Sequence, residues 1–168
     1  MKEKVWYTLV NLKYKSYIID LNFEKNQDLE RKINIFLAIA SSGSIAVWAI
    51  WNSIPIIWGG IIAMSQFVTV ILPYLRFNKN ARDFKQISIH LDHLNFKFEL
   101  LWNDIQENLI EENEIRRIYI ELKESAINIL NLDEEIILNK SKKICDKADE
   151  RMINFLQNEY QITIKLNP

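Results

Sequence analysis

Residues 33–75 read INIFLAIASSGSIAVWAIWNSIPIIWGGIIAMSQFVTVILPYL, with no Asp, Glu, Lys or Arg among them. Arg31 and Lys32 close the stretch on one side, and Arg76, Lys79 and Arg82 on the other. A spanning helix needs about 20 apolar residues to cross roughly 30 Å of hydrocarbon. The run is long enough for two such helices and too long for one. All three glycines (Gly43, Gly59, Gly60) and two of the three prolines (Pro55, Pro73) fall inside it. The break is at Trp51-Asn52-Ser53-Ile54-Pro55. Asn and Ser favour turns, Ser53 can cap the next helix, and Pro55 suits a first turn, where no backbone donor is needed. The expected spans are residues 33–51 and 54–74, joined as a tight antiparallel hairpin.

The loops set the orientation. The connection is uncharged and both outer flanks are rich in Lys and Arg, so the positive-inside bias puts both termini in the cytoplasm. Trp48, Trp51 and Trp58 gather near the outer turn, and Tyr74 and Phe77 at the inner end, as aromatic belts do. A cleavable signal peptide is not expected, because more than thirty residues precede the run.

Within the hairpin, Ala38, Ser42 and Ala46 are four apart, as are Gly59 and Ala63. Small residues at that spacing let helices approach closely in lipid. Gln66 and Thr69 share a face of the second span, and a mid-membrane Gln needs a partner or water. Either that face, with Ser41 from the first span, lines a water path in an oligomer, or these groups make interhelical hydrogen bonds. Pro73 is expected to kink or end the second span, a plausible hinge at the inner mouth.

The 168 residues carry a formal charge of −1, which argues against a dedicated duplex-DNA binder. Cys145 is the single cysteine, so no internal disulfide forms. No glycine lies outside the apolar run, and a phosphate-cradling loop normally needs some.

An N-terminal helix is expected over residues 2–32, with Val5, Trp6, Leu9, Val10, Tyr14, Tyr17, Ile18 and Leu21 at helical spacing and an interruption near residues 26–28. It either lies in the inner interface or packs on the cytoplasmic helices. The acids along it (Asp20, Glu24, Asp28, Glu30) favour packing. After the hairpin, Phe77, Phe84, Leu91, Phe98 and Ile105 are seven apart, and Ile87, Leu94 and Leu101 follow members of the series by three. This is a heptad seam on one long helix over residues 76–108, for a partner in the same chain or in a neighbour. The collar of Arg76, Lys79 and Arg82 suits anionic headgroups or a pore mouth. Residues 99–114 hold six acids and no base, most simply a solvated turn. A further helix is expected over residues 114–130, then another capped by Asn131 with Glu134 in capping-box position. The last carries Ile137, Ile144, Ala148, Met152, Phe155 and Leu156 inward and Lys140, Lys142, Lys143, Lys147 and Arg151 outward. The tail at residues 161–165 alternates, as a short strand would. The expected organisation is an N-terminal helix (1–32), a membrane hairpin (33–75) and a cytoplasmic helical bundle (76–168), all-α throughout.

Catalytic chemistry is not expected. His90 and His93 are three apart on the long helix, without a third ligand nearby. Glu111-Glu112 and Glu134-Glu135 lack a cleft for acid–base work, and Cys145 falls at inward spacing. No Walker, zinc or Gly-x-Ser-x-Gly spacing occurs, and no cofactor is implied. The basic set Lys140, Lys142, Lys143, Lys147 and Arg151 is either an anion-binding face or a solvated one.

An N-terminal helix, a Trp-rich two-span hairpin with both ends inside and a long helical cytoplasmic region resemble the SLATT family of two-span effector domains in bacterial conflict systems. The resemblance covers nearly the whole chain and rests on architecture. It implies a membrane pore that kills or arrests an infected cell, an antiviral effector acting by abortive infection from the bacterial inner membrane. In the Hailong type of system a partner nucleotidyltransferase makes an oligonucleotide that controls a separate membrane effector. A chain of that kind is expected to be a homo-oligomer, such as a tetrameric ring, in contact with membrane lipids and answering to a nucleotide or oligonucleotide.

Overall fold

The computed structural model describes residues 1–46, 55–71, 77–131 and 141–161. Among them are five helices and no strand: α1 (Lys2–Ala46), α2 (Pro55–Ile71), α3 (Phe77–Gln106), α4 (Glu112–Asn131) and α5 (Lys142–Tyr160). The chain is all-α. It divides into two compact units, residues 1–23 with 82–168, and residues 24–81.

The larger unit is built around the start of α1. One side of it gives Val5, Leu9, Leu12 and Ile19 to a core shared with α3 and α4. Another side puts Ile18 and Leu21 against Ile144 and Ala148 of α5. The N-terminal helix therefore packs on the other helices along this length. The heptad positions of α3 that are described, Phe84, Ile87, Leu91, Leu94, Phe98, Leu101 and Ile105, are all buried. Their partners are α1 and the α4 residues Ile115, Tyr119, Leu122 and Ala126 of the same chain.

Polar contacts fix the pairing of α1 with α3. Lys13 Nζ lies 2.9 Å from Glu99 Oε1, Ser16 donates to Asp92 at 3.1 Å and Ser88 donates to Asp20 at 2.5 Å. On the far side of α1, Thr8 and Tyr119 share a hydroxyl–hydroxyl bond of 3.1 Å. At its end, the α3 helix turns through Asn108 at φ 55, and Leu109 N donates to Asp104 O at 2.9 Å. A left-handed residue followed by that backward bond is the usual way to satisfy terminal carbonyls. Glu112 and Glu114 then sit in the first turn of α4, where the helix dipole favours acids.

Two helix boundaries differ from the sequence expectation. α1 runs unbroken through residues 26–28, because Asn, Gln and Asp lower helix propensity without removing a backbone donor. A single helix from Asn131 through the basic residues does not form. Ser141 has extended geometry (φ −62, ψ 149) and α5 starts after it, since Ser favours a helix-start conformation. The capping box at Glu134, Ile137 and residues 162–165 of the alternating tail fall outside the described residues, and Gln161 at the start of that tail is the left-handed cap of α5 (φ 54, ψ 26).

The smaller unit holds the apolar end of α1 and all of α2. Among the described residues no helix is long and apolar enough to cross a membrane. α2 has 17 residues, about 25 Å at 1.5 Å per residue. Residues 47–51 and 72–74 of the two expected spans, with the turn, its tryptophans 48 and 51, and Pro73, are outside the described residues.

Candidate functional site

α2 carries no charged side chain and leaves Ile62, Met64, Phe67 and Val70 exposed, Phe67 and Val70 at 65%. Residues 24–46 of α1 likewise expose Ile35, Phe36 and Ile39. Gln66 and Thr69 are both exposed on α2. The Thr69 hydroxyl donates to Ser65 O at 2.8 Å, and Ser65 to Ile62 O at 2.9 Å. These hydroxyls turn back onto their own helix, so neither needs the interhelical partner the sequence allowed. The Gln66 amide has no hydrogen-bond partner among the described residues. A Cβ added at Gly59 or Gly60 would meet nothing within 4 Å. Gly59, Ala63 and Gln66 follow one another at four and three residues, so the small-residue stripe and the Gln66 face are one face. Ser41 lies on α1 with its side chain outside the description, and so do the side chains of Lys79 and Arg82 on α3. Arg76 and Lys140 fall outside the described residues altogether.

On α5, Lys142, Lys143 and Lys147 are exposed and Arg151 is half-buried. The helix is not a basic surface, however: it carries four bases and four acids. Asp146, Asp149 and Glu150 line a hollow of about 430 Å³ on it with Asn154 and Gln157. An anion approaching Lys143 and Lys147 therefore meets acids on the same helix, which cuts its attraction.

A better balanced cationic surface lies between α1 and α4. Lys4, Lys15 and Lys123 line a groove of about 820 Å³ with only one acid, Glu3. Leu12, Ala126, Ile127 and Leu130 are among its apolar lining, and Lys123 Nζ stands 5.7 Å from the Tyr119 ring centroid. No stretch of sequence announces this groove, because its lysines come from helices more than a hundred residues apart. A second hollow, about 560 Å³, is walled by Trp6, Trp102 and Tyr160 with Lys2, Asn103, Gln106 and two glutamates. Trp6 meets Trp102 at 4.9 Å with the rings tilted by 39° and Tyr160 edge-on at 4.8 Å. Desolvation, then Glu99 and Glu159, push the Tyr160 hydroxyl up to about 12. Burial also raises Tyr14 and Tyr17, helped by Asp149 for Tyr14 and by Glu99 for Tyr17, where Arg151 opposes it.

His90 and His93 are exposed, and Cys145 is half-buried. Among the described residues no cluster of His, Cys, Asp or Glu could hold a metal ion. No family model, no curated protein and no solved structure matches the chain.

Proposed function

We propose that the chain is the subunit of an oligomeric, gated membrane pore that acts as a cell-killing antiphage effector. The observation that carries this reading is the bare apolar surface of α2, which is uncharged and has Ile62, Met64, Phe67 and Val70 exposed. A contiguous surface of that kind is suited to lipid or to a partner and poorly suited to water. The apolar sequence continues on both sides of α2, through residues 33–75, to a length sufficient for two spans. Two spans cannot enclose a water path alone, so the activity requires a ring. Gln66 and Thr69, with Ser41, line the path in this reading; Arg76, Lys79 and Arg82 ring its mouth, and Pro73 is the hinge.

The gating signal in this reading is an anionic nucleotide or oligonucleotide made by a partner nucleotidyltransferase. It would engage the α5 bases or, with less opposing charge, the groove of Lys4, Lys15 and Lys123. It shifts the pore only by the difference in its affinity for open and closed forms. The test is single-channel current from purified protein in a planar bilayer, with and without candidate nucleotides. Gln66→Leu is expected to abolish both discrete current steps and toxicity while leaving insertion and assembly intact. Unchanged current would remove Gln66 from the path. Loss of assembly along with current would place it in the packing stripe with Gly59 and Ala63.

A membrane-anchored helical scaffold that recruits a partner protein is the second reading. It draws on the well-packed core of the larger unit and gives the apolar residues only a tethering role.

A further inference from the structure

Three helices bring their ends to the hollow of about 560 Å³ beside Trp6. Trp6 comes from the second turn of α1, Trp102 from near the end of α3, and Tyr160 is the final residue of α5. The plane of Trp102 is tilted 39° from that of Trp6, and the plane of Tyr160 stands at 81° to it. Rings at such angles present their faces in different directions, as the walls of a cage do. The apolar lining is aromatic: no aliphatic residue is among the described lining residues. A volume of this order is usual for a small-molecule site.

The charge here is negative. Glu3 and Glu159 line the hollow, both exposed, and neither has an ion-pair partner among the described residues. The last turns of α3 and α5 reach it with their carbonyl ends, and neither turn carries a basic residue. A helix C-terminus favours a cation. The start of α1 has the opposite sign, which Glu3 in its first turn offsets. Lys2 is the base among the described lining residues, and its ammonium lies 3.5 Å from Asn108 Oδ1. Next to the hollow the fold already holds one cation by a ring and an acid. Lys13 Nζ sits 4.6 Å from the Phe155 ring centroid and 2.9 Å from Glu99 Oε1, and Phe155 meets Tyr160 edge-on at 5.6 Å.

Aromatic walls with acids beside them suit a cation of a particular kind. A ring face attracts positive charge within about 6 Å of its centroid. A primary ammonium would leave N–H groups unpaired against the rings, at a cost. A quaternary ammonium has no N–H, and its methyl groups spread the charge over the faces. The rings are half-buried and the acids exposed, so the methyl groups meet the rings while the charge still feels the carboxylates. We infer that Trp6, Trp102 and Tyr160, with Glu3 and Glu159, bind the trimethylammonium group of a small soluble molecule. The same group on a lipid fits less well, because the lining offers acyl chains no aliphatic surface. The site lies wholly within the larger unit, and it stands whether or not residues 33–75 form a pore.

The test is calorimetric titration of the full chain, purified in an uncharged maltoside detergent, with choline as the probe. Saturable binding is expected. The neutral carbon isostere of choline, dimethylbutanol, should bind about tenfold more weakly, since it has the shape without the charge. Trp102→Leu and Tyr160→Leu are each expected to weaken choline about tenfold, and Tyr160→Phe, which keeps a ring, should bind it about fivefold tighter than Tyr160→Leu does. Glu3→Gln combined with Glu159→Gln changes only exposed positions, and far-UV circular dichroism should show native helix content. That pair is expected to weaken choline about threefold or more, and it keeps the inference open to test where a ring variant fails to fold. No saturable binding of choline overturns the inference. Equal binding of dimethylbutanol, or an affinity that neither the ring variants nor the acid pair changes, does so too. Ethanolamine binding as tightly as choline would mean a hydrogen-bonded ammonium and sink the quaternary assignment. Dihexanoyl phosphatidylcholine binding about tenfold tighter than choline would give the site to a lipid headgroup and overturn the soluble ligand.

Discussion

Asn95 is buried on α3 at 1% exposure, and neither its amide nitrogen nor its amide oxygen has a hydrogen-bond partner among the described residues. The other buried polar side chains among the described residues do better: Ser16 donates to Asp92, and Asn22 returns to Ile18 O at 2.8 Å. A buried amide without partners costs about 1–3 kcal/mol. Leu branches at the same carbon and has no polar group, so Asn95→Leu is expected to raise unfolding stability by about 1 kcal/mol, read as a higher denaturant midpoint. A lower midpoint would mean that the amide is satisfied or that the site is too tight for two methyl groups. Tyr160 makes a separate prediction. Its hydroxyl is held at about 12 by desolvation, Glu99 and Glu159, whereas an unfolded chain ionises tyrosine near 10. Between those values the unfolded state binds fewer protons, so stability is unaffected below about pH 10 and falls as pH rises toward 12. Tyr14 and Tyr17, also raised, act in the same direction. Tyr160→Phe is expected to flatten the fall in midpoint between about pH 10 and 12; an equally steep fall would show that Tyr160 does not contribute it.

At the scale of the helix, what could be read in advance was whatever depends on local period. The seam of α3 is written in its own residues at spacings of three and four, and Phe84, Leu91, Phe98 and Ile105 are buried as that period requires. The inward set on α5 was legible in the same way: Ile144, Ala148, Met152 and Leu156 are buried. Boundaries set by weak preferences were not. Asn26 to Asp28 suggested a break that α1 does not make, and Ser141 makes one that neither Gly nor Pro signals. The lysine groove was illegible for another reason. Lys4 and Lys123 line one groove only because α1 and α4 pack together. Such surfaces belong to pairs of helices, and no window along one helix contains them. For the candidate membrane face, composition located the apolar run, and the structure added that Gly59, Ala63 and Gln66 fall on one face.

For the whole molecule, the two proposed readings differ in what they ask of residues 33–75: a pore or only a tether. The residues of the larger unit hold together through a core of their own, with Val5, Leu9, Phe98 and Tyr119 among its members. A tether needs only apolar length, and any hairpin that crosses the bilayer supplies that. A pore needs particular groups on one face, because water and ions move only where polar side chains and small residues line the path. Replacing residues 33–75 by an unrelated, uncharged hairpin of equal length separates the two demands. The replacement keeps the flanking bases, and with them the orientation bias. In the pore reading the swapped chain inserts, keeps the core of its larger unit and oligomerises, yet passes no current and does not kill. Bilayer recording, a toxicity assay and the mass of the assembly measure the three properties independently. Retained toxicity would move the function to the bundle and leave the hairpin as an anchor. Loss of assembly along with toxicity would show that residues 33–75, with the stripe of Gly59 and Ala63, hold the copies together.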